Sequence, residues 1–262
     1  MPAARRPIVT LTSDFGLSDY YVAAMKAVLL RNCPRACLID ITHLIPRHDI
    51  LYGSITLERA IDSFLPGTVH LAVIDPGVGT DRRILIVQIN RQLVVCPDNG
   101  LITWAWRLHA QASRSSRAQA YELTWRPKRS SSTFHGRDVM APVAGKLACG
   151  TSIDSLARPI DDPILLDIAP ADPAQRRGRI IHIDVFGNAT TNIPHDALRT
   201  IDVKNIKVKG RRIGGLKRTY GDVPPGRPLA LIGSSGLLEI AVRDANAARQ
   251  LKLRVGDEVV LE

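Results

Sequence analysis

The sequence predicts an α/β protein: an N-terminal Rossmann-like three-layer α/β domain followed by a small C-terminal β-barrel or sandwich domain. Three observations predict it. Short apolar runs alternate with helix-spaced segments through the first half, as strands and crossover helices do. Beyond residue 178 the runs are short and separated by glycine turns, the pattern of an antiparallel barrel. Between the two lies Ile168-Ala169-Pro170-Ala171-Asp172-Pro173, a proline-bearing polar stretch that reads as a linker. The implied organisation is a first domain over 1–168, a linker over 169–178 and a second domain over 179–262.

The expected strands of the first domain are Ile8 to Leu11, Ala36 to Ile41, Val69 to Ile74, Ile84 to Ile89 and Leu93 to Cys96. Tyr20 to Leu30 and His48 to Ser63 carry apolar residues at spacings of three and four, which predicts amphipathic helices. Ser18 and Asp19 can cap the first and Asp49 the second, because their side-chain oxygens accept from unpaired first-turn amides. A third helix is expected over Arg137 to Cys149, after the turn Phe134-His135-Gly136. In the second domain the expected strands are Arg179 to Asp184, Ile206 to Val208, Leu229 to Ile232, Leu237 to Val242 and Glu258 to Leu261. Lys252 to Glu258 reads as the turn before the last of them.

The chain has 262 residues with 45% hydrophobic content, enough to bury proper cores. Its 35 Lys and Arg against 25 Asp and Glu leave a net charge of +10. The basic stretches at Arg126–Arg129, Arg176–Arg179 and Lys204–Arg218 are not interleaved with the aromatic residues on which single-stranded nucleic acids stack, so they read as solvated faces. No nucleic acid partner is expected. Cys33, Cys37, Cys96 and Cys149 form no CxxC pair and no spaced quartet with His, so buried free thiols are expected and a metal site is not. With no signal-peptide pattern and no membrane-length apolar run, no membrane partner is expected and the expected location is a reducing cytoplasm.

Three polar clusters in the first domain stand where expected strands end, the edge at which open α/β sheets bind ligands. They are Ser13-Asp14-Phe15-Gly16, Asp75-Pro76-Gly77-Val78-Gly79-Thr80-Asp81-Arg82-Arg83 and Thr133-Phe134-His135-Gly136-Arg137-Asp138. Taken singly, each has a structural reading. Asp14 suits a helix cap as well as a ligand site, Asp75 suits a turn closed on a nearby amide, Arg82 a surface ion pair, and His135 a structural contact. Together, a carboxylate, a guanidinium and an imidazole on separate loops suit the orientation and deprotonation of water. In the second domain Ile183 to Asn192 runs from a strand into a polar turn. There Asn188 can read a purine edge and Phe186 can stack on its face, or the two can simply form a turn over a core aromatic. Gly233-Ser234-Ser235-Gly236 can hold a carboxylate on its amides and hydroxyls, or serve as an ordinary hairpin turn.

In this order and over nearly the whole chain, Ser13-Asp14-Phe15-Gly16, Asp75-Pro76-Gly77-Val78-Gly79, Phe134-His135-Gly136-Arg137-Asp138, Phe186-Gly187-Asn188 and Ser234-Ser235-Gly236 resemble the S-adenosylmethionine hydroxide adenosyltransferases, relatives of fluorinase and chlorinase. The resemblance implies hydrolysis of S-adenosyl-L-methionine to adenosine and L-methionine, with Asp75, Arg82 and His135 as the catalytic trio. It implies Asp14 on the ribose hydroxyls, Asn188 on the adenine edge, and Phe186 with Tyr220 on the adenine faces. Asp184 is implied for the methionine ammonium, Ser234 and Ser235 for its carboxylate, and Glu239 and Val242 for the adenine side. The substrate is a small molecule, no cofactor or metal is implied, and the assembly implied is a homotrimer with active sites at its subunit interfaces. Asp75 stands where the halogenases carry Tyr, and Gly136 where fluorinase carries Ser; a carboxylate at the attack point repels halide and orients water. The alternative from another class is a sensor that binds S-adenosylmethionine or a nucleoside without turnover.

Overall fold

The computed structural model describes residues 6–109, 118–199 and 203–262. The chain divides into two compact units, Met1–Ile168 and Ala169–Glu262.

In the first unit the strands are β1 (Ile8–Ser13), β2 (Cys37–Thr42), β3 (Val69–Val73), β4 (Ile84–Ile89), β5 (Gln92–Pro97), β6 (Gln119–Leu123) and β7 (Ala157–Ile160). They form one sheet in the order β2-β1-β3-β5-β4-β6-β7. β2, β1, β3 and β5 run parallel, whereas β4, β6 and β7 continue the sheet antiparallel. Residues of successive strands alternate between two cores. Val9, Leu11, Leu71, Val73 and Ile86 face α1 (Tyr21–Asn32) and α4 (Ala141–Ala148) through Met25, Leu29 and Val143. Ala72, Ile74, Leu85 and Val87 face the other way, toward Leu57 and Ile61 of α2 (Ile50–Ser63) and Ala105 of α3 (Thr103–His109). The period of two thus supplies both faces of a three-layer domain. Each Leu or Ile withdrawn from water contributes about 1.5–3 kcal/mol.

The strand and helix expectations for this unit hold to within a few residues, while α3, β6 and β7 had no counterpart in the pattern reading. Asp49 caps α2, accepting from Tyr52 N at 2.9 Å. Ser18 and Asp19 do not cap α1: the capping position is Tyr20, so both stand too early in the chain to reach the first-turn amides. Asp14 caps neither helix and instead accepts from His48 N at 2.9 Å. The third polar cluster does not follow a strand; it opens a π-helical turn, Gly136–Met140, that leads into α4.

The expectation of free thiols fails for two of the four cysteines. Cys33, which ends α1, and Cys149, which ends α4, are joined as a disulfide across 116 residues of sequence, a pairing that spacing cannot reveal. Close approach of the helices makes it possible: a Cβ on Gly145 would stand 2.7 Å from Asn32 Cβ. Cys96 is buried and free, and Cys37 is free but exposed. The inference of a reducing compartment from unpaired thiols loses that support. Among the described residues, no helix is long and apolar enough to cross a membrane.

The second unit is an antiparallel sheet of β8 (Arg177–Ile183), β9 (Ala189–Pro194), β10 (Asn205–Val208), β11 (Arg211–Gly214), β12 (Pro228–Ile232), β13 (Leu237–Val242) and β14 (Glu258–Leu261). Its order is β11-β10-β14-β8-β9-β13-β12. Lys217, just past β11, donates its N–H to Ala230 O of β12 at 2.8 Å, which brings the two edges together and nearly closes a barrel. Ile180, Ile206, Leu238, Ile240 and Val259 fill the interior. Two strands escaped the pattern reading. β9 is spelled Ala-Thr-Thr-Asn-Ile-Pro and looks like a polar turn, yet Thr190, Thr191 and Asn192 are all buried, and the Thr191 and Asn192 side chains are hydrogen-bonded. β11 is short and half basic.

Candidate active site

Asp75 leaves the sheet one residue after Ile74, at the C-terminal end of β3. Pro76 fixes the next φ, and Val78 N closes the turn on Asp75 O at 3.2 Å. Gly79 then adopts a φ of +83°, and a Cβ there would lie 2.6 Å from Ser132 O, so only glycine fits. This close approach brings the 75–83 segment against the loop that carries His135.

Arg82 turns back from the start of β4 onto Asp75. Its Nε donates to Asp75 Oδ1 at 2.6 Å and its Nη2 to Oδ2, a bidentate pair between side chains only 9% and 4% exposed. The same Nη2 donates to His135 Nδ1 at 3.1 Å. A guanidinium carries donors only, so His135 Nδ1 is the acceptor and the neutral ring holds its proton on Nε2. Burial and the Arg82 charge together push the His135 pKa down, against a weaker pull from Asp75. His135 is therefore a neutral imidazole that offers an N–H.

Asp75 and His135, with Arg82 behind them, border a cavity of about 320 Å³ that is lined also by Gly136, Phe15, Tyr20, Tyr21 and Phe134. Phe15, Tyr21 and Phe134 pack edge to face with centroids 5.2–5.9 Å apart. Gly136 is buried, and a Cβ would press to 3.1 Å from Val73 Cγ1. Arg137 and Asp138 form an ion pair with bonds of 2.6 and 2.9 Å, and Asp138 also accepts from Ser131 N at 2.8 Å, which fixes the loop ahead of the helix. Asp14 is half-buried beside Phe15 but does not line this cavity. The aromatic wall went unassigned in the sequence reading, although Phe15 and Phe134 stood inside the quoted motifs and Tyr20 and Tyr21 inside an expected helix.

The second unit holds a larger cavity, about 730 Å³, lined by Asp184, Phe186, Asn188, Tyr220, Ser234, Glu239 and Val242 among others. Ser235 occupies the same turn as Ser234 without lining the cavity. Asp184 organises the turn between β8 and β9: Oδ1 accepts from Phe186 N at 3.0 Å and Asn188 N at 2.8 Å, and Oδ2 from Asn188 Nδ2 at 3.2 Å. Gly187, at φ +90°, seats that turn against Asn246 with no room for a Cβ. Phe186 is held out on it, 74% exposed. Tyr220 donates its hydroxyl to Glu239 Oε1 at 2.6 Å. Burial raises the Glu239 pKa, and neighbouring Asp184 adds to the rise despite the Tyr220 hydrogen bond. Burial and the Glu239 contact likewise push the Tyr220 hydroxyl up.

Residues 9–157 match the sequence profile of the SAM hydroxide adenosyltransferase N-terminal domain, and residues 178–260 that of the C-terminal domain. The chain belongs to the SAM hydroxide adenosyltransferase family. Among its relatives within that family's reach, a protein of Thermus thermophilus named (R)-S-adenosyl-L-methionine hydrolase is 39% identical, the match covering 98% of this chain and 99% of the relative. A Salinispora arenicola protein of the same name is 37% identical over 98% of each chain. A crystal structure of an uncharacterized conserved protein from Thermotoga maritima superposes with a TM-score of 0.86 at 33% identity, covering 97% of this chain and all of that one. Among the described residues, no group of three or more His, Cys, Asp or Glu gathers to hold a metal ion.

Proposed function

We propose that the protein hydrolyses S-adenosyl-L-methionine to adenosine and L-methionine, with Asp75, Arg82 and His135 acting on the attacking water. The observation that carries this reading is the contact of those three side chains beside one cavity, in a family whose relatives bear the name (R)-S-adenosyl-L-methionine hydrolase. The sulfonium leaves as a neutral thioether, so the reaction needs no general acid, and the burden falls on supplying an aligned nucleophile. Asp75 accepts the proton of the water, and His135 Nε2–H donates to its oxygen. Arg82 holds both in place. As the C5′–O bond forms, the C5′–S bond breaks with its electron pair moving to sulfur, and the proton passes through Asp75 to solvent. Neither metal nor organic cofactor enters this scheme.

The remaining assignments are part of the same proposal. Asp14 binds the ribose hydroxyls; Phe186 and Tyr220 enclose the adenine, and Asn188 and Val242 meet its edge. Glu239 lies on the adenine side as well, Asp184 meets the α-ammonium, and Ser234 and Ser235 take the carboxylate. The active assembly is a homotrimer in which sites form at subunit interfaces, and the reaction occurs in the cytoplasm. No nucleic acid is involved: Arg177 and Arg212 of the basic stretches are paired with Glu258 and Glu262. The test is product analysis in ¹⁸O-labelled water in the presence of a chelator. Label in the 5′ oxygen of adenosine supports the reaction; folded protein that releases no adenosine refutes it.

A further inference from the structure

We propose that His43, acting with Ser13 and Asp40, is the positioning group for the Asp14 carboxylate, an inference that rests on Asp14 as the ribose-hydroxyl ligand. β1 and β2 are parallel neighbours, so their C-terminal ends emerge side by side. Their register slips by one residue between Leu11 and Thr12, pairing Thr12 with Thr42 where an unbroken ladder would pair it with Ile41. The slip brings His43 level with Ser13. Ser13 Oγ and His43 Nδ1 then meet at 2.7 Å, and both residues are buried, 0% and 3% exposed.

The polarity of the chain follows from its ends. Asp40 Oδ1 lies 3.1 Å from His43 Nε2, and Asp40 Oδ2 accepts from Lys26 Nζ at 2.6 Å. Burial would raise the Asp40 pKa, but the contacts with Lys26 and His43 outweigh it and hold the carboxyl below its usual range. A carboxylate at Nε2 places the His43 proton there, so Nδ1 accepts the Ser13 hydroxyl, whose oxygen in turn faces Phe15 N at 3.4 Å. Serine, histidine and aspartate in this sequence also describe a nucleophilic triad. Ser13 is fully buried, however, and no substrate reaches it.

What the network does reach is the Asp14 turn. Gly16 N donates to His43 O at 2.8 Å, Ile45 N to Ser13 O at 3.4 Å, and His48 N to Asp14 Oδ2 at 2.9 Å. The segment after β2 therefore grips the segment after β1 on both sides of Asp14 and fixes one of its carboxylate oxygens. A buried histidine hydrogen-bonded to Ser13 through Nδ1, with the Asp40 carboxylate 3.1 Å from Nε2 though not in hydrogen-bond geometry, is a specific way to set that grip.

The experiment is a double-mutant cycle on KM and kcat for S-adenosylmethionine with Asp14→Ala, His43→Ala and both together. Loss of the ring contacts is expected to raise KM about tenfold with kcat within about threefold, and the double variant should match Asp14→Ala alone. Ser13→Ala, which removes one hydroxyl and leaves little void, should show the same KM-selective loss if His43→Ala does not fold. His43→Asn, whose amide oxygen can take the place of Nδ1, should restore most of the KM. Additive losses, or an unchanged KM in folded His43→Ala or Ser13→Ala, would overturn the proposal while leaving Asp14 as ligand. An unchanged KM in Asp14→Ala would instead remove the ribose reading, and the proposal with it.

Discussion

Replacing Arg82 by lysine separates the charge of the trio from its geometry. Arg82 delivers three donor contacts from two nitrogens: Nε to Asp75 Oδ1, and Nη2 to both Asp75 Oδ2 and His135 Nδ1. A lysine ammonium on a flexible stem keeps the positive charge but cannot span the carboxylate and reach the imidazole at once. Two charge-assisted bonds are lost, each contributing about 1.5–3 kcal/mol. If about 3 kcal/mol of that is felt in the transition state, kcat falls about 10²-fold. KM should change little, since Arg82 lies behind the cavity. With Asp75 only 4% exposed, part of the loss also appears as folding stability, about 2 kcal/mol. Adenosine release at saturating substrate, followed by chromatography, reads the first effect, and calorimetric unfolding reads the second. A kcat within threefold of wild type, at unchanged Tm, would refute the division of labour drawn for the trio.

Asp75→Ala should abolish turnover yet bind adenosine with near wild-type affinity in titration calorimetry, because the proposed nucleoside contacts lie on other residues; retained turnover would remove Asp75 from the chemistry. His70 gives a pH prediction: it is buried between Thr10 and Gln92, and burial lowers its pKa to about 4 despite the Gln92 contact. The unfolded chain, with an ordinary value near 6.5, binds the proton first, so the stabilisation is present above that pH and drains away as pH falls toward about 4. Chemical denaturation should show a loss of about 2 kcal/mol between pH 7.5 and 5 from this group, absent in His70→Gln. An identical pH slope in that variant would count against it. For the Cys33–Cys149 bond, thiol titration of the unfolded, unreduced protein should find only Cys37 and Cys96 reactive, and Cys149→Ser should lower stability by up to about 4–5 kcal/mol from the 116-residue loop it closes. Four reactive thiols and an unchanged Tm would show that the pair is not formed in solution.

The parts of this protein that could be read from its sequence are those where one local signal dominates. Ile84–Ile89 and Leu237–Val242 are apolar runs broken by one polar residue each, Gln88 and Glu239, Ile8–Ser13 sets Ile8, Val9 and Leu11 beside β-branched Thr10 and Thr12, and Asp49 sits at the start of a strongly periodic helix. β9 could not be read because its buried Thr191 and Asn192 satisfy their side chains with bonds to Leu238 O and Ala169 O that only the folded barrel provides. The Cys33–Cys149 pairing and the His43–Ser13 contact depend on helix packing and on a one-residue register slip, neither of which leaves a periodic trace. Asp75 and Arg82 stood out as residue types within the β3–β4 connection, and His135 on another loop. Their geometry, and with it the tautomer of His135, required the coordinates.

The strand order β3-β5-β4 gives the Asp75–Arg82 pair a further significance. The two residues follow β3 and precede β4, and β5 lies between those strands, so the chain from one to the other passes over the end of β5. Asp98, just past β5, holds the crossing from below, donating its N–H to Arg83 O at 3.0 Å and accepting from Arg83 Nε at 2.7 Å. Donor and acceptor thus meet only when three strands have each stopped at the right place. Hydrolytic activity becomes a gauge of sheet assembly: a refolding chain that slips the β4–β5 hairpin by two residues would keep its apolar faces inward and look native to a spectrometer, yet remain catalytically silent.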